Sequence, residues 1–229
     1  MRHAPRVALV THVEEFLGAP AVAALRGRAR GRLDRGLGRR PSGPRPEVAD
    51  AAREVILAHG QLDVCVMNSA FPAERAPIGE LDEARMRAAY EALVFGPMLL
   101  ARAVAPHMQA RRAGKLIFCT SAAPLRGLPN YSVYVGARGA MNAAVRSLAL
   151  ELAPHNVQVN AVAPNFIESE TYFPKALMDD PAARAKILKN VPLGRLGRPE
   201  EAGAMIAYLA SPAADFVTGQ VLALAGGWA

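Results

Sequence analysis

Short apolar runs alternate with longer amphipathic segments along most of this chain. Continuous apolar runs of this length are typical of buried parallel strands, and apolar positions at three- and four-residue spacing predict helices. The predicted strands are residues 6–11, 62–68, 115–121, 157–164 and 220–227. The predicted helices are residues 20–28, 46–60, 81–112, 132–153 and 198–211.

This alternation predicts an α/β fold, a single Rossmann-like doubly wound domain over residues 1–229 with a parallel sheet and helices on both faces. One part of the pattern is missing. A doubly wound domain should contain a further strand and helix between residues 30 and 46, and no apolar run occurs there. We therefore expect the second-strand region, residues 26–46, to be missing from the fold or irregular. Whether the protein has lost a sheet edge or the stretch is a reading-frame artefact stays open.

The formal net charge of +7 comes from the same region. Residues 26–46 hold eight arginines and one aspartate, Asp34, so the rest of the chain carries 19 basic and 19 acidic residues and is neutral. An Arg/Gly/Pro-rich stretch of this kind is typical of a flexible, solvated loop. We prefer that interpretation to a nucleic-acid-binding segment.

Composition elsewhere excludes several classes of protein. Cys65 and Cys119 each lie inside an apolar strand-like run, which indicates buried thiols in a reducing compartment rather than a disulfide. The five histidines form no zinc-binding spacing, so we expect no metal. No apolar run reaches the roughly 18 residues that a bilayer span needs. We expect a cytoplasmic protein with no signal peptide and no membrane segment.

Tyr134 and Arg138 are the first candidates for chemistry. They lie four residues apart in the predicted helix 132–153, so their side chains share one face. A free tyrosine is a poor base at neutral pH because it titrates near pH ~10, and a close cation favours its phenolate. Arginine suits this role because it remains charged when buried.

Most of the chain resembles the short-chain dehydrogenase/reductase superfamily. The resemblance lies in the segments LDVCVMNSA, GKLIFCTSAA, VQVNAVAP, VPLGRLGRPEEAGAMIAYLAS and VTGQVLALAGGW, and in Tyr134 at the start of its helix. It implies that Ser121, thirteen residues before Tyr134, orients the substrate oxygen. The superfamily carries lysine where this chain has Arg138.

Other departures affect the nicotinamide site of that superfamily. His12 and Phe16, in THVEEFLG, stand where the first two glycines of the dinucleotide loop belong. Phe71 replaces the glycine of a later motif, and PNFIESETYFP follows the strand 157–164 where the dehydrogenases carry a glycine. These substitutions predict that no nicotinamide cofactor binds.

The combination resembles the halohydrin dehalogenases, a branch of the superfamily that uses Ser–Tyr–Arg and no cofactor. The resemblance implies that Ser121, Tyr134 and Arg138 are catalytic. It also implies vicinal halo-alcohols, epoxides and halide as ligands, with a homotetramer as the assembly. The expected halide and substrate pocket consists of Phe16, Pro164, Asn165, Phe166, Ile167, Tyr172 and Phe173.

Two alternatives stay open. The first is an atypical NAD(P)-dependent short-chain alcohol dehydrogenase that tolerates arginine, against which Phe16 and Phe71 argue. The second is a non-catalytic scaffold or a nucleic-acid binder that uses the Arg-rich segment. The retention of Ser121, Tyr134 and Arg138 argues against the second, since a silent site needs none of them.

Overall fold

The computed structural model describes residues 6–28, 46–170 and 172–229. Its five strands form one sheet in the order β1-β2-β3-β4-β5, and every neighbouring pair is parallel. The strands are β1 (Ala8–Val10), β2 (Val64–Met67), β3 (Gly114–Cys119), β4 (Val157–Pro164) and β5 (Val221–Leu224). This sheet and the helices around it confirm the predicted Rossmann-like α/β domain.

Helices cover both faces of the sheet. One apolar cluster joins α2, α4 and α6 to one face, and a second joins α1 and α9 to the other. Burial on both faces explains why the strands read as continuous apolar runs. The helices are α1 (Gly18–Arg28), α2 (Pro46–His59), α3 (Glu83–Tyr90), α4 (Gly96–Arg111), α5 (Ala123–Arg126), α6 (Ser132–Leu152), α7 (Lys175–Asp179), α8 (Pro181–Leu188) and α9 (Pro199–Ala210).

The single helix predicted over residues 81–112 is interrupted. A π-helical turn, Glu91–Phe95, separates α3 from α4, and the Gly96 N–H donates to the Glu91 carbonyl five residues earlier. Pro97 explains the interruption, because it has no N–H for the Leu93 carbonyl and its ring would clash there in a regular helix. Such turns are common at functional sites.

The predicted gap in the fold lies largely outside the described residues. Helix α1 ends at Arg28 and α2 begins at Pro46, so the expectation of a missing or irregular strand, and of a flexible Arg-rich loop, concerns residues 29–45. Among the described strands, β1 lies at one edge of the sheet.

The expectations about thiols, metals and membranes have different outcomes. Cys65 and Cys119 are both free and buried. Among the described residues no group of three or more potential metal ligands occurs. The expectation that no segment could span a bilayer is corrected for Glu83–Arg111. By its length and its composition alone, this stretch could cross a membrane. That is weak evidence for a span, because core helices pass the same test, and Leu100, Val104 and Met108 of α4 are buried in the core.

Helices α1 and α9 approach so closely at Gly203 that a side chain does not fit. A Cβ built at Gly203 would lie 2.6 Å from the carbonyl oxygen of Pro20, which is backbone and cannot rotate away. We expect Gly203→Ala to lower the free energy of unfolding by about 1–3 kcal/mol. Gly27→Ala is the matched control, because a Cβ at Gly27 of α1 meets nothing within 4 Å. Urea denaturation of both variants measures the difference, and equal midpoints would contradict the close approach.

Candidate functional site

Arg138 lies in the middle of the site and is 1% exposed. Its Nη1 donates to the Cys119 carbonyl at 2.9 Å and its Nη2 donates to the Ser69 carbonyl at 3.0 Å. The guanidinium therefore ties α6 to the ends of both β2 and β3. In the described part of the chain no carboxylate pairs with Arg138, and its Nε has no hydrogen-bond partner. A buried cation in this state favours a negative charge nearby.

Tyr134 lies against this buried cation. The guanidinium carbon of Arg138 lies 5.4 Å from the centre of the Tyr134 ring, within the range of a cation–π contact. Both residues project from the first half of α6, which confirms the predicted shared face. The Tyr134 side chain is half-buried, whereas Arg138 is enclosed. Tyr134 therefore lies between the buried Arg138 guanidinium and the solvent-accessible space beside α6.

Ser121 lies just after β3 and is buried. Its Oγ accepts a hydrogen bond from the Ala123 N–H at 3.1 Å, which fixes the side chain. Its own proton points to the Pro164 carbonyl at 3.5 Å, longer than the roughly 2.5–3.0 Å usual for a hydroxyl donor. The hydroxyl is therefore held in place while its proton remains available to a ligand oxygen.

Tyr172 belongs to the loop after β4 and contacts the loops after β1 and β2. Its hydroxyl donates to the Phe71 carbonyl at 3.2 Å. Its ring meets the Phe16 ring edge-on, with 5.9 Å between centroids. The structure thus brings together Phe16, Phe71 and Tyr172, which belong to three separate loops.

The other predicted pocket residues form a second group. The Phe166 ring stacks on Phe173 at 5.8 Å and meets Trp228 edge-on at 5.7 Å. Asn165 turns back on its own backbone, where its Oδ1 accepts from the Phe166 N–H. Ile167 belongs to the core on the α1–α9 side. Pro164 is buried at the end of β4, where its carbonyl accepts from the Ala122 N–H.

Sequence reasoning missed two residues that build this site. Asn142 donates from Nδ2 to the Ser121 carbonyl at 3.1 Å, so α6 holds the serine segment as well as the tyrosine. Its position four residues after Arg138 on the same helix face is a signal that could have found it. Trp228 supports Phe166 from the end of the chain, and no sequence pattern indicates that contact.

The loop between β1 and α1 does not fit a dinucleotide. A pyrophosphate at a helix N-terminus needs free backbone N–H groups. Here the Leu17 N–H donates to Asn68 Oδ1, and the Gly18 N–H donates to the Glu15 carbonyl. Phe16, at φ +47°, places its half-buried ring against Tyr172, across the ends of the strands where the cofactor of a doubly wound fold would lie.

A cavity of about 260 Å³ opens beside Tyr134. Its wall includes Phe71, Pro72, Arg75, Arg85 and Tyr131, and Arg85 lies over the Phe71 ring. A larger cavity of about 600 Å³ lies between the loop 168–173, α7 and α8, and it contains none of the three predicted catalytic residues. The lining of the smaller cavity includes Tyr134 but neither Ser121 nor Arg138, and we therefore regard it as the candidate approach to the tyrosine.

The fold and the serine–tyrosine–cation arrangement define a short-chain dehydrogenase/reductase. The profile of the family described as enoyl-(acyl carrier protein) reductase matches residues 45–229, and the chain belongs to this family. A curated relative, the cis-4-hydroxycyclohexanecarboxylate dehydrogenase of Sinomonas cyclohexanicum, is 37% identical over 169 residues. The match covers 74% of this chain and 66% of that relative, just under two thirds of its length.

Two solved structures resemble the chain over nearly all of its length. A structure described as a dehalogenation enzyme has a TM-score of 0.90 and 38% sequence identity, with 100% of both chains covered. A halohydrin dehalogenase bound to ethyl (2S)-oxiran-2-ylacetate has a TM-score of 0.88 and 31% identity, with 96% of both chains covered. The similar sequences therefore include an oxidoreductase, whereas these two similar structures are dehalogenases.

Proposed function

We propose that this protein is a halohydrin dehalogenase that converts vicinal halo-alcohols into epoxides and halide without a nicotinamide cofactor. The observation that carries the proposal is the set of contacts made by the Arg138 guanidinium. Both terminal nitrogens of its guanidinium donate to main-chain carbonyls, which holds the buried positive charge against the Tyr134 ring. The likeness to the two dehalogenase structures supports the same activity.

The proposed reaction begins with proton transfer. Tyr134, as phenolate, takes the proton of the substrate hydroxyl, while the Ser121 hydroxyl donates to the same substrate oxygen. The oxygen then attacks the neighbouring carbon, the new C–O bond closes the epoxide, and the halide leaves with the electron pair of the carbon–halogen bond. The proton passes from Tyr134 to solvent. In reverse, protonated Tyr134 donates to the epoxide oxygen while a small anion such as azide, cyanide or nitrite opens the ring.

The leaving halide needs donors and polarisable surfaces at the end of β4. We propose that the segment Pro164–Ile167, with Tyr172, Phe173 and Phe16, surrounds it. The positive edges of aromatic rings stabilise a soft anion. They carry this part of the proposal, because the Asn165 and Phe166 N–H groups already donate to the Leu224 carbonyl and to Asn165 Oδ1. Phe166 at φ +55° is held between Phe173 and Trp228, which fixes the backbone of this segment before the halide is formed.

The direct test is chloride release from 1,3-dichloro-2-propanol at mildly alkaline pH with no nicotinamide present. The proposal expects one chloride and one epichlorohydrin for each substrate consumed. Oxidation of added NADH or NADPH in the presence of a ketone, recorded as a loss of absorbance, would support the alternative reductase. No release from a folded protein, with this substrate or a bromo-alcohol, would exclude the dehalogenase activity for these substrates.

The loop after β1 gives a separate prediction about the cofactor. We expect the protein to show no saturable binding of NADH or NADPH in a fluorescence titration, because the Leu17 and Gly18 N–H groups already have acceptors and Phe16 fills the slot. Phe16→Gly removes the ring but leaves both N–H groups occupied, so it should not restore tight binding. Micromolar binding by the unaltered protein would contradict this account of the loop.

We also propose that the protein acts as a homotetramer in the cytoplasm, with small molecules and no nucleic acid as its ligands. The basis is the family resemblance and the helical stretch Glu83–Arg111, whose apolar 18-residue window is 33% buried within the chain. Light scattering should then give a mass near four times 24.3 kDa. A mass near that of a single chain would contradict the proposed tetramer but would not contradict the proposed reaction.

A further inference from the structure

Two side chains from the last turns of α4 hold the chain where it enters β2. His107 and Arg111 lie four residues apart on that helix, so they project from one face. The Leu62 N–H donates to His107 Nε2 at 3.2 Å, and Arg111 Nη1 donates to the Leu62 carbonyl at 3.1 Å. Leu62 is fully buried, so the two side chains satisfy both main-chain polar groups of a residue that water does not reach.

Asp63 extends this contact to β1. Its Oδ1 accepts from Arg111 Nη2 at 2.9 Å, and its Oδ2 accepts from the Val7 N–H at 2.7 Å. Val7 stands directly before the first residue of β1. Helix α4 is therefore joined, through Leu62 and Asp63, to the amino ends of both β1 and β2. This edge of the sheet is opposite to the edge where Ser121 follows β3.

The contact with Leu62 requires a neutral imidazole. Nε2 accepts a hydrogen bond only while it carries no proton, so the single ring proton of His107 is on Nδ1. Protonation turns Nε2 into a donor that faces the Leu62 N–H, and the hydrogen bond is lost. It also adds a second positive charge near the Arg111 guanidinium, and the two charges repel each other.

We propose that His107, Arg111 and Asp63 form an acid-released clamp, which fastens α4 to the starts of β1 and β2 and opens when His107 takes up a proton. Opening leaves the buried Leu62 N–H without its acceptor, which weakens the hold of α4 on the edge of the sheet. The clamp concerns the stability of the fold, so it does not rest on the proposed function.

The surroundings of His107 set the pH range in which the clamp opens. Burial lowers the pKa of His107, the Arg111 charge lowers it further, and the Asp63 charge opposes both. Helix α2 also packs on α4, and it ends at His59, which is exposed. A histidine of the unfolded chain titrates near pH ~6.5. The unfolded state therefore takes up this proton first, so the free energy of unfolding falls as the pH decreases below about 6.5 and levels off below the folded pKa.

The test is the pH dependence of unfolding in His107→Gln. The glutamine Oε1 can accept from the Leu62 N–H but does not titrate. In urea denaturation between about pH 8 and about pH 5, the unaltered protein should lose stability more steeply than this variant. Each unit by which the folded pKa of His107 lies below the unfolded value corresponds to about a tenfold change in the unfolding constant.

His59→Gln is the matched control, because it makes the same change at an exposed position beside the clamp. Its stability should follow that of the unaltered protein at every pH. The pKa of His12 is also lowered by burial, but His12 is present in all three proteins and does not affect the comparison. Parallel curves for His107→Gln and the unaltered protein would show that the clamp is not released by acid.

A second measurement locates the release. Hydrogen–deuterium exchange of residues 60–67, corrected for the intrinsic pH dependence of exchange, should be faster at about pH 5.5 than at about pH 7.5 in the unaltered protein. Peptides from α9, on the other face of the sheet, are the internal reference. If residues 60–67 are equally protected at both pH values, the proposal is wrong. This measurement decides the question even if His107→Gln does not fold.

Discussion

Tyr134→Phe is expected to lower the rate of halide release by on the order of 10²–10⁴-fold, which is the usual contribution of a general acid or base. The substitution removes the phenol hydroxyl beside Arg138, which accepts and returns the substrate proton in the proposed reaction. Phenylalanine keeps the ring that lies 5.4 Å from the guanidinium carbon, so the packing around α6 is retained. The measurement is initial chloride release at several pH values.

The control for Tyr134→Phe is Tyr208→Phe, which makes the same chemical change on an exposed part of α9. Both variants should unfold at nearly the same urea concentration as the unaltered protein, so a loss of rate in one of them reports on chemistry. Activity of Tyr134→Phe within a few-fold of the unaltered protein would remove the tyrosine from the mechanism and would leave Ser121 without its proposed partner.

Arg138→Met is expected to lower kcat/KM at neutral pH by about 10- to 1000-fold, because a close opposite charge shifts a titration by roughly 1–3 units. Part of the loss should be recovered at higher pH, where the phenolate forms even without a nearby positive charge. That recovery distinguishes the loss of a charge from a collapse of the site. A pH–rate profile of the variant under conditions where it is folded provides the measurement.

Arg138→Lys is the informative partner of that variant. Lysine keeps the charge, but a single ammonium group does not reproduce the planar fork that reaches the Cys119 and Ser69 carbonyls together. We expect its activity to lie between those of Met and Arg at this position, with a lower free energy of unfolding than the unaltered protein. If lysine were fully equivalent in rate and stability, the two carbonyl contacts would have no part in the arginine requirement.

The buried guanidinium also explains how the segments that contain Ser121 and Tyr134 are held in fixed positions. Arg138 and Asn142 anchor the ends of β2 and β3 to one helix through three main-chain carbonyls, those of Ser69, Cys119 and Ser121. A buried carbonyl left without a donor costs about 1–3 kcal/mol, so these contacts hold the serine and tyrosine segments in register. The loop after β4 is instead held by aromatic contacts.

The local pattern of the sequence determined much of this protein. The strand positions, the parallel sheet, the C-terminal end of α2 at Gly60 with φ +67°, and the shared face of Tyr134 and Arg138 all follow from spacing within a few residues. Such features are governed by backbone periodicity and by single residues with special conformations, and these act over short distances along the chain. The family resemblance added Ser121, whose position depends on the end of a strand.

Only the tertiary structure decided which groups meet. The carbonyl contacts of Arg138 and the hydrogen bond from Tyr172 to Phe71 join residues between 19 and 101 positions apart. Trp228 supports Phe166 from a different part of the chain. The occupied N–H groups of Leu17 and Gly18 depend partly on Asn68, at the end of another strand. These contacts arise because parallel strands bring their carboxyl ends to one edge of the sheet, where distant loops compete for the same space.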